Sequence, residues 1–324
     1  MEELLRVEEI SFHYDHDYLA LDSVSATFNA GERVAVLGCN GAGKSTFFLC
    51  CNGVLRPQSG RISFQGKEIT KAKKDVYSLR QGVGLVFQDP DSQIIAGTVE
   101  GEVSFGPMNL RLSDEEVSQR VDQALEEMSV TRYREYAPQY LSGGEKKRVS
   151  IADILAMRPK MILLDEPTAS LDPQNARALE DILNQLNRTG IAIVISTHDV
   201  DFAYRITDRA LVFAQGRIIA DADVDQVFSS DDILVKAGLR KPLLYHAFEY
   251  LQERFPHMVV GEKPRTIEEF KRVFDEAAPP NREWPKNLSA SIARFPPQTL
   301  DLSAPEPQVK GAMAMGPLIT VEPA

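Results

Sequence analysis

A glycine-rich run followed by a lysine and a serine is the feature of this 324-residue sequence that most directly suggests chemistry. The run is Gly38-Cys39-Asn40-Gly41-Ala42-Gly43-Lys44-Ser45, which fits the pattern G-x-x-x-x-G-K-[ST] and lies between an apolar segment and a helix predicted to begin near Lys44. Backbone N–H groups in such a loop point inward at a phosphate, and the following helix adds positive potential. Lys44 is placed to reach the β- and γ-phosphates of a nucleotide, and the Ser45 hydroxyl to bind Mg²⁺. The flanking strand and helix favour this interpretation over a glycine-rich structural turn.

Two adjacent acids, Asp165 and Glu166, follow the apolar run 161–164. Asp165 is therefore predicted at the carboxyl end of a buried strand, where open α/β sheets bind ligands, and it is placed to hold Mg²⁺ opposite Ser45. Because adjacent residues on a strand point in opposite directions, Glu166 has a separate task, and we predict that it accepts a proton from an attacking water. In isolation such a pair is more often a solvated strand end, but downstream of a phosphate loop the functional interpretation is favoured.

Both features depend on an alternation of strands and helices. Short apolar runs rich in β-branched residues alternate with helical patterns, which predicts an α/β fold with a mainly parallel sheet. Ser113 and Glu116 form a predicted capping box for one helix, and Asp172 followed by Pro173 begins another. The first 30 residues and the segment 61–66 predict a small antiparallel β layer. The predicted strands of the main sheet are 34–37, 83–87, 161–164, 191–196 and 209–214.

Composition and charge argue against several classes of protein. Hydrophobic residues are 43% and charged residues 26%, which is ordinary globular composition, and a formal net charge of -11 argues against an electrostatic grip on nucleic acid or on an anionic bilayer. The longest apolar stretches are about five residues, whereas a membrane span needs roughly 18 to 20. The N-terminus is acidic and shows no secretory signal, so we expect a cytoplasmic protein. The three cysteines lie in one short stretch, which predicts reduced thiols.

A second loop, Leu141-Ser142-Gly143-Gly144-Glu145, lies between the phosphate loop and the acid pair. Ser142 and the two glycines stand just before a predicted helix and offer a hydroxyl and N–H groups to an anion, although alone they would indicate a plain N-cap. The run LSGGEKKRVSIA, residues 141–152, resembles the signature motif of ATP-binding-cassette (ABC) ATPases and has the same place in the order of motifs. The resemblance covers about residues 4–235.

The resemblance implies a P-loop NTPase fold with a mainly parallel core sheet, an N-terminal antiparallel β layer and a helical signature subdomain at about 90–158. These parts make up an ATP-binding domain at 1–240, followed by a small extension at 241–278 in which Thr266 and Glu269 are predicted to cap a short helix. Nine of the 19 prolines fall between 279 and 323, so the tail 279–324 is predicted to form neither a regular helix nor a sheet layer.

The resemblance also implies that ATP and Mg²⁺ are the ligands and assigns residues to them. Thr46 joins the phosphate loop in binding the nucleotide, and Tyr14 resembles the aromatic residue that stacks on adenine, with Phe12 and Tyr18 as alternatives. Gln88 resembles the glutamine that contacts Mg²⁺ and the attacking water and that reports to the membrane partner.

In such ATPases two nucleotides lie between two head-to-tail protomers, each bound by the phosphate loop of one chain and the signature of the other. Because this sequence carries both halves, the resemblance implies a homodimer with two competent sites. His198 resembles the histidine that contacts the γ-phosphate, and Ser170-Leu171-Asp172 resembles the loop through which the protomers communicate. Two residues depart from the family pattern: Glu145 stands where Gln is most frequent, and Asp153 where a small residue is common.

The segment 87–110 indicates a branch of the family. Its runs FQDPDSQII and VSFGPMNL resemble the ATPases of energy-coupling-factor transporters, particularly cobalt and nickel importers, in which this region meets a cytoplasmic helix of the transmembrane coupling protein. The implied function is ATP hydrolysis that energises cobalt or nickel uptake through that coupling protein and a substrate-specificity membrane protein. The chain is then peripheral, on the cytoplasmic face of the cell membrane. A family-neutral loop is the alternative interpretation of this segment.

Three other functions compete with this one. A vitamin-importing energy-coupling-factor system remains open, because the specificity component is another polypeptide. A soluble ABC ATPase of translation or DNA maintenance is disfavoured, because the sequence has neither a second cassette nor a long coiled-coil insertion and is acidic. A small-molecule P-loop kinase would make the LSGGE run a coincidence.

Overall fold

Ten strands and eleven α-helices lie in the described part of the computed structural model, residues 2–14, 19–169, 171–254 and 262–277. The strands are β1 (Glu3–His13), β2 (Leu19–Asn29), β3 (Arg33–Leu37), β4 (Ser59–Phe64), β5 (Lys67–Glu68), β6 (Val83–Val86), β7 (Met161–Asp165), β8 (Ala192–Thr197), β9 (Arg209–Ala214) and β10 (Arg217–Asp223). The helices are α1 (Lys44–Cys51), α2 (Lys73–Gly82), α3 (Val99–Asn109), α4 (Asp114–Glu127), α5 (Gly143–Ala156), α6 (Pro173–Arg188), α7 (Val200–Ile206), α8 (Val224–Ser229), α9 (Asp231–Ala237), α10 (Leu243–Arg254) and α11 (Ile267–Ala277). No helix among the described residues is long and apolar enough to cross a membrane.

The main sheet has six strands in the order β10-β9-β3-β8-β7-β6. Five of them are parallel, and β10 pairs antiparallel with β9 at one edge. Val34, Leu164 and Ile195 are fully buried, as expected where helices and a second β layer cover both faces of parallel strands. The carboxyl ends of β3, β6, β7 and β8 meet along one side of the sheet, where ligands of open α/β folds bind. The predicted α/β fold with a mainly parallel sheet is confirmed.

The N-terminal β layer is a four-stranded sheet in the order β2-β1-β4-β5, and its strands pair antiparallel. Its alternating residues Val24, Ala26 and Phe28 are buried, which confirms the predicted layer. Phe28 packs against Phe47 of α1 with ring centroids 6.2 Å apart, and Phe47 packs against Phe213 of β9 at 5.2 Å. The helix that follows the phosphate loop is therefore held between the two sheets.

Two predicted N-caps begin α4 and α6, whose buried residues belong to one cluster with those of β7 and β8. The Asp172 carboxylate accepts from the N–H groups of Gln174 and Asn175, both at 2.9 Å, and begins α6. Ser113 begins α4, since its hydroxyl accepts from the Glu116 N–H at 3.3 Å. The predicted capping box at this helix is wrong in its other half, because the Glu116 carboxylate binds the Arg120 guanidinium at 2.6 Å.

The helices after residue 223 extend from one edge of the main sheet: α8 and α9 pack on β9, α10 packs on α7, and α11 packs on α10. Buried Tyr204 of α7 lies edge-on to Tyr245 of α10, with ring centroids 5.6 Å apart. The sequence did not predict α10, but it did predict the short helix α11, where Thr266 and Glu269 form a capping box with bonds of 3.2 Å in both directions. The Phe274 side chain and the predicted proline-rich tail 279–324 lie outside the described residues.

Candidate nucleotide-binding site

The predicted phosphate loop joins β3 to α1, which begins at Lys44 as the sequence predicts. Its backbone is tightly curved at Gly38 and Gly43, which have φ values of 148° and 107°. A Cβ atom at Gly38 would lie 2.5 Å from the Phe213 carbonyl oxygen, and one at Gly43 would lie 2.7 Å from the Ala20 carbonyl oxygen. Only glycine fits both positions, because they combine positive φ with close approach of another backbone.

Lys44 is nearly buried and turns its ammonium across the loop. Nζ donates to the carbonyl oxygens of Gly38 at 2.7 Å and Cys39 at 3.2 Å, and it lies 4.0 Å from Oε1 of Glu166. Burial lowers the pKa of Lys44, and the charges of Glu166 and Asp165 oppose this shift. The cation is thus held in a dry position beside the predicted proton acceptor, where its charge acts strongly.

The acid pair lies at the end of β7, with both side chains buried. Ser196 of β8 donates its hydroxyl to Asp165, and the Glu166 N–H donates to the Ser196 carbonyl oxygen at 3.0 Å. Glu166 has a φ of 42°, a left-handed conformation that is uncommon in non-glycine residues and concentrates at functional sites. The chain therefore turns sharply at Glu166, the first residue after β7.

Glu166 is fixed by the segment that follows β8. Nδ1 of His198 lies 3.0 Å from both carboxylate oxygens, and the Thr197 hydroxyl donates to Oε2 at 3.2 Å. The His198 side chain is 65% exposed, whereas that of Glu166 is 9% exposed. We call Lys44, Asp165, Glu166, Thr197 and His198 the phosphate-loop cluster. Sequence reasoning did not single out Thr197, although it directly precedes His198.

Tyr14, Ser45 and Thr46 lie beside this cluster. The Tyr14 hydroxyl is 3.2 Å from the Thr46 hydroxyl, and its ring is about half exposed. Phe12, one alternative for the stacking residue, is buried and packs edge-on against Tyr14 with centroids 5.0 Å apart, so the structure favours Tyr14 over Phe12. The other alternative, Tyr18, lies outside the described residues.

Exposed positions of the phosphate loop are Cys39, Asn40 and Gly41, whereas Ala42 is buried. The Cys39 thiol donates to the Ala237 carbonyl oxygen at 3.1 Å. The last residue of α9 therefore contacts the loop, which the sequence did not predict.

Gln88 follows β6 and is exposed, while its backbone is held by α5. Nζ of Lys147 donates to the carbonyl oxygens of Phe87 at 2.8 Å and Gln88 at 2.6 Å. Burial lowers the pKa of Lys147 to about 8. Sequence reasoning missed this lysine, whose only signal is its place on the helix face that also carries the buried residues Ser150 and Ile151.

The signature loop forms the N-terminus of α5, with Leu141 buried just before it. Ser142 is the N-cap, and its N–H and hydroxyl both donate to Oε2 of Glu145 at 2.8 Å. Glu145, which departs from the family pattern, thus completes a capping box, and it also accepts from the Tyr133 hydroxyl. The N-cap is therefore present, and Ser142 and Gly143 remain exposed beside it; the anion-binding role stays a prediction.

The Asn175 side chain links the signature loop to Asp172, the predicted dimer-communication residue. A Cβ atom at Gly144 would lie 2.8 Å from Cγ of Asn175, whose amide donates to the Asp172 carboxylate at 2.6 Å. We call Ser142, Gly143, Gly144, Glu145, Asp172 and Asn175 the signature cluster. Among the described residues, no hydrogen bond or ion pair joins it to Lys44 or Glu166. Ser170 of the predicted communication loop lies outside the described residues.

Comparisons with known proteins agree with these motifs. The chain matches the ABC transporter family model over residues 21–169. It is 44% identical over 251 residues to the energy-coupling factor transporter ATP-binding protein EcfA of Methanocaldococcus jannaschii, covering 78% of this chain and 90% of the relative. Among solved structures, CbiO1 of Clostridium perfringens, part of the ABC transporter complex CbiONQ, is 36% identical with a TM-score of 0.66, covering 79% and 97%. The ATP-binding cassette MJ0796, solved as a dimer after hydrolysis with ADP and phosphate, is 26% identical with a TM-score of 0.62, covering 68% and 99%.

Proposed function

The chain belongs to the ATP-binding proteins of ABC transporters, in the energy-coupling-factor group, and we propose that it hydrolyses ATP to energise cobalt or nickel uptake through transmembrane partner proteins. The observation that carries the proposal is the Glu166 carboxylate, which is buried, held by Thr197 and His198, and 4.0 Å from Nζ of Lys44. A fixed proton acceptor beside a phosphate-binding cation is what hydrolysis of a phosphoanhydride needs.

Each residue of the phosphate-loop cluster has its own role in hydrolysis. The water oxygen forms a bond to the γ-phosphorus while the bond from that phosphorus to the bridging oxygen of ADP breaks, and Glu166 accepts the proton that the water loses. Lys44 offers its ammonium to the β- and γ-phosphates, where negative charge is concentrated. Because Nδ1 of His198 contacts Glu166, its Nε2 is left to face the γ-phosphate. Tyr14 stacks on the adenine, beside Thr46.

The donor set around the loop fits Mg²⁺. Ser45, Gln88 and Asp165 offer a hydroxyl, an amide and a carboxylate oxygen, the ligand types that Mg²⁺ prefers, and the remaining positions suit phosphate oxygens and water. When bound, Mg²⁺ neutralises charge on the phosphates. The Ser196 hydroxyl holds the Asp165 carboxylate and so fixes the orientation of one ligand in advance.

A homodimer completes two such sites. Ser142 and Gly143 are exposed, separate from the phosphate-loop cluster, and they stand at the N-terminus of α5, which attracts anions. The signature of one protomer then contacts the ATP bound to the phosphate loop of the other, and Asp172 lies at the junction. The dimeric state of the related cassette MJ0796 supports this arrangement.

The membrane side of the proposal rests on the segment 87–110. Phe105 and Met108 lie three residues apart on α3 and share a face, and both are more than half exposed. Such a face suits an apolar contact with a cytoplasmic helix of the coupling protein. The likeness to CbiO1, part of the ABC transporter complex CbiONQ, supports a role in a transporter complex, with this chain peripheral at the cytoplasmic face.

Affinity purification tests the proposed partners. The tagged chain is isolated from gently solubilised native membranes, and the co-purifying proteins are identified by mass spectrometry. We expect small integral membrane proteins, and Met108→Asp should remove them while Val235→Asp, equally polar and on exposed α9, should retain them. If a vitamin-specific component is among them, the proposed substrate changes from a metal ion to a vitamin. Recovery of only ribosomal or DNA-associated proteins would overturn the membrane role.

A further inference from the structure

Lys147 is a buried cation on α5 whose contacts are not explained by nucleotide binding or by helix capping. Its residue is 2% exposed, and Nζ donates to the carbonyl oxygens of Phe87 and Gln88 at 2.8 and 2.6 Å. Burying an ammonium is costly unless its hydrogen bonds are satisfied, and two short bonds to carbonyl oxygens meet that need. The lysine therefore fixes the backbone just where β6 ends and Gln88 begins its loop.

Gln93 fastens the same loop to α5 from its other side. Its amide nitrogen donates to the Ser150 carbonyl oxygen at 3.0 Å and to the Asp153 carboxylate at 3.4 Å. Its amide oxygen accepts from the Phe87 N–H at 3.2 Å. Both backbone groups of Phe87 are thus held by side chains that belong to α5 or are bound to it, so the segment 87–93 follows the position of this helix.

The helix that holds Gln88 also carries the signature. Ser142 caps α5, and Lys147 lies five residues further, about 7.5 Å along the axis of a regular helix. An α-helix of this length moves as a stiff body, so a displacement at its N-terminus reaches Lys147 within the same element. One end of α5 faces the ATP of the partner protomer, and its flank holds the glutamine that serves this protomer's own ATP.

We propose that Lys147 is a positioning residue that sets the place of Gln88 and couples it to the signature at the start of α5. The coupling rests on the proposed function, since it needs an ATP-bound dimer with Gln88 in one site and Ser142 in the other. Engagement of the signature by the partner's ATP moves α5, and the two bonds from Lys147 carry that movement to Gln88. The two sites of the dimer thereby act on each other.

Two substitutions of Lys147 distinguish the effect of its hydrogen bonds from the effect of its side-chain volume. Lys147→Met has similar volume and no donor, so it should lower kcat about 10- to 100-fold with the ATP KM changed less than about twofold, and cooperativity in ATP should be lost. Lys147→Gln retains N–H donors and should recover part of the rate and the cooperativity. Lys160→Met removes a charge from the exposed residue before β7 and should behave as wild type.

Hydrogen exchange of the full chain reads the same contacts without hydrolysis. Peptides covering 87–93 should exchange faster in Lys147→Met than in wild type, and Lys147→Gln should lie between them, with little change in peptides from β1 and β2. Wild-type kinetics and exchange in Lys147→Met would overturn the positioning role. So would equal losses in Lys147→Met and Lys147→Gln that extend to ATP binding and to exchange throughout the chain. A wild-type chain that hydrolyses no ATP would overturn the proposed function, and this role with it.

Discussion

The phosphate-loop cluster and the signature cluster differ in how far this chain completes each of them. Lys44 and Glu166 are both buried and lie 4.0 Å apart. Carbonyl oxygens of the phosphate loop hold Lys44, whereas Thr197 of β8 and the following His198 hold Glu166. Ser142 and Gly143 are exposed, and the side-chain bonds of Ser142 cap α5. Under the proposed function, the groups that react are preorganised within one chain, whereas the groups that recognise the second nucleotide are presented on a surface. The first cluster would then carry the chemistry and the second the assembly of the dimer.

Glu166→Gln should have the largest effect, because it removes the proton acceptor and leaves the shape of the cluster almost unchanged. We expect kcat to fall about 10²- to 10⁴-fold, with ATP still bound, so that an ATP-bound dimer accumulates. Size-exclusion chromatography with and without ATP measures the dimer, and a phosphate-release assay measures the rate. Asp181→Asn, which neutralises an exposed acid on α6, is the matched control. Hydrolysis at the full rate by Glu166→Gln would exclude this residue as the proton acceptor.

Lys44→Ala should weaken ATP binding, whereas it leaves the proton acceptor Glu166 in place. The ammonium makes charge-assisted bonds, each worth about 1.5–3 kcal/mol, so loss of its phosphate contacts should weaken ATP affinity about 10- to 100-fold. The two loop carbonyls that it now holds would also lose their donor. Isothermal titration with a non-hydrolysable ATP analogue checks the affinity, and Lys74→Ala on exposed α2 serves as control. An unchanged affinity for the ATP analogue would show that Lys44 does not contribute to phosphate binding.

The two clusters also differ in what the sequence could predict. The phosphate loop and the N-caps at Ser113, Ser142 and Asp172 follow from local patterns, because a turn or a cap is formed by residues within a few positions of each other. The contacts of Lys147 join residues 59 and 60 positions apart, and no local pattern specifies them. The failed half of the capping box at Glu116 has a different reason, because a second local pattern, the i, i+4 pair with Arg120, competed for that carboxylate. Helix α10 was missed because few of its residues are buried, Tyr245 and Phe248 among them.

Ser142→Ala tests whether the signature does more than cap a helix, and Ser113→Ala supplies the matched comparison. Both serines are exposed N-caps whose hydroxyls accept from a backbone N–H three residues on, so each alanine should cost about 1 kcal/mol of stability. Only Ser142→Ala should also reduce ATP-dependent dimer formation, by about tenfold if one hydrogen bond to the partner's ATP is lost. Thermal melts and size-exclusion chromatography separate the two effects. Equal dimer formation by both variants would reduce Ser142 to a cap.

Glu145→Gln should have the smallest effect, because glutamine can still accept from the Ser142 backbone. The Tyr133 hydroxyl bond, with smaller contributions from Ser142 and Arg132, holds the pKa of Glu145 below its ordinary value of 4.5. A carboxylate whose pKa is lower in the folded chain stabilises the fold fully above its unfolded pKa, and this stability is lost as the pH falls through the folded pKa. Wild type should therefore lose stability below about pH 4.5 through this group, by less than about 1 kcal/mol for a pair at the surface. In Glu145→Gln that part of the loss should disappear while stability at pH 7 changes little.

Urea melts of both chains from pH 7 down to the acid transition check this expectation, with Glu126→Gln, which neutralises an exposed acid of α4, as control. If Glu145→Gln lost stability on the acid side as steeply as wild type, the carboxylate would not be the group that the cap depends on. Near-wild-type ATP hydrolysis in Glu145→Gln, against the large loss expected in Glu166→Gln, would sharpen the contrast between the two clusters. Under the proposed function, charge matters at Glu166 because that residue takes part in the reaction, whereas at Glu145 we expect the hydrogen bond to the cap to matter more than the charge.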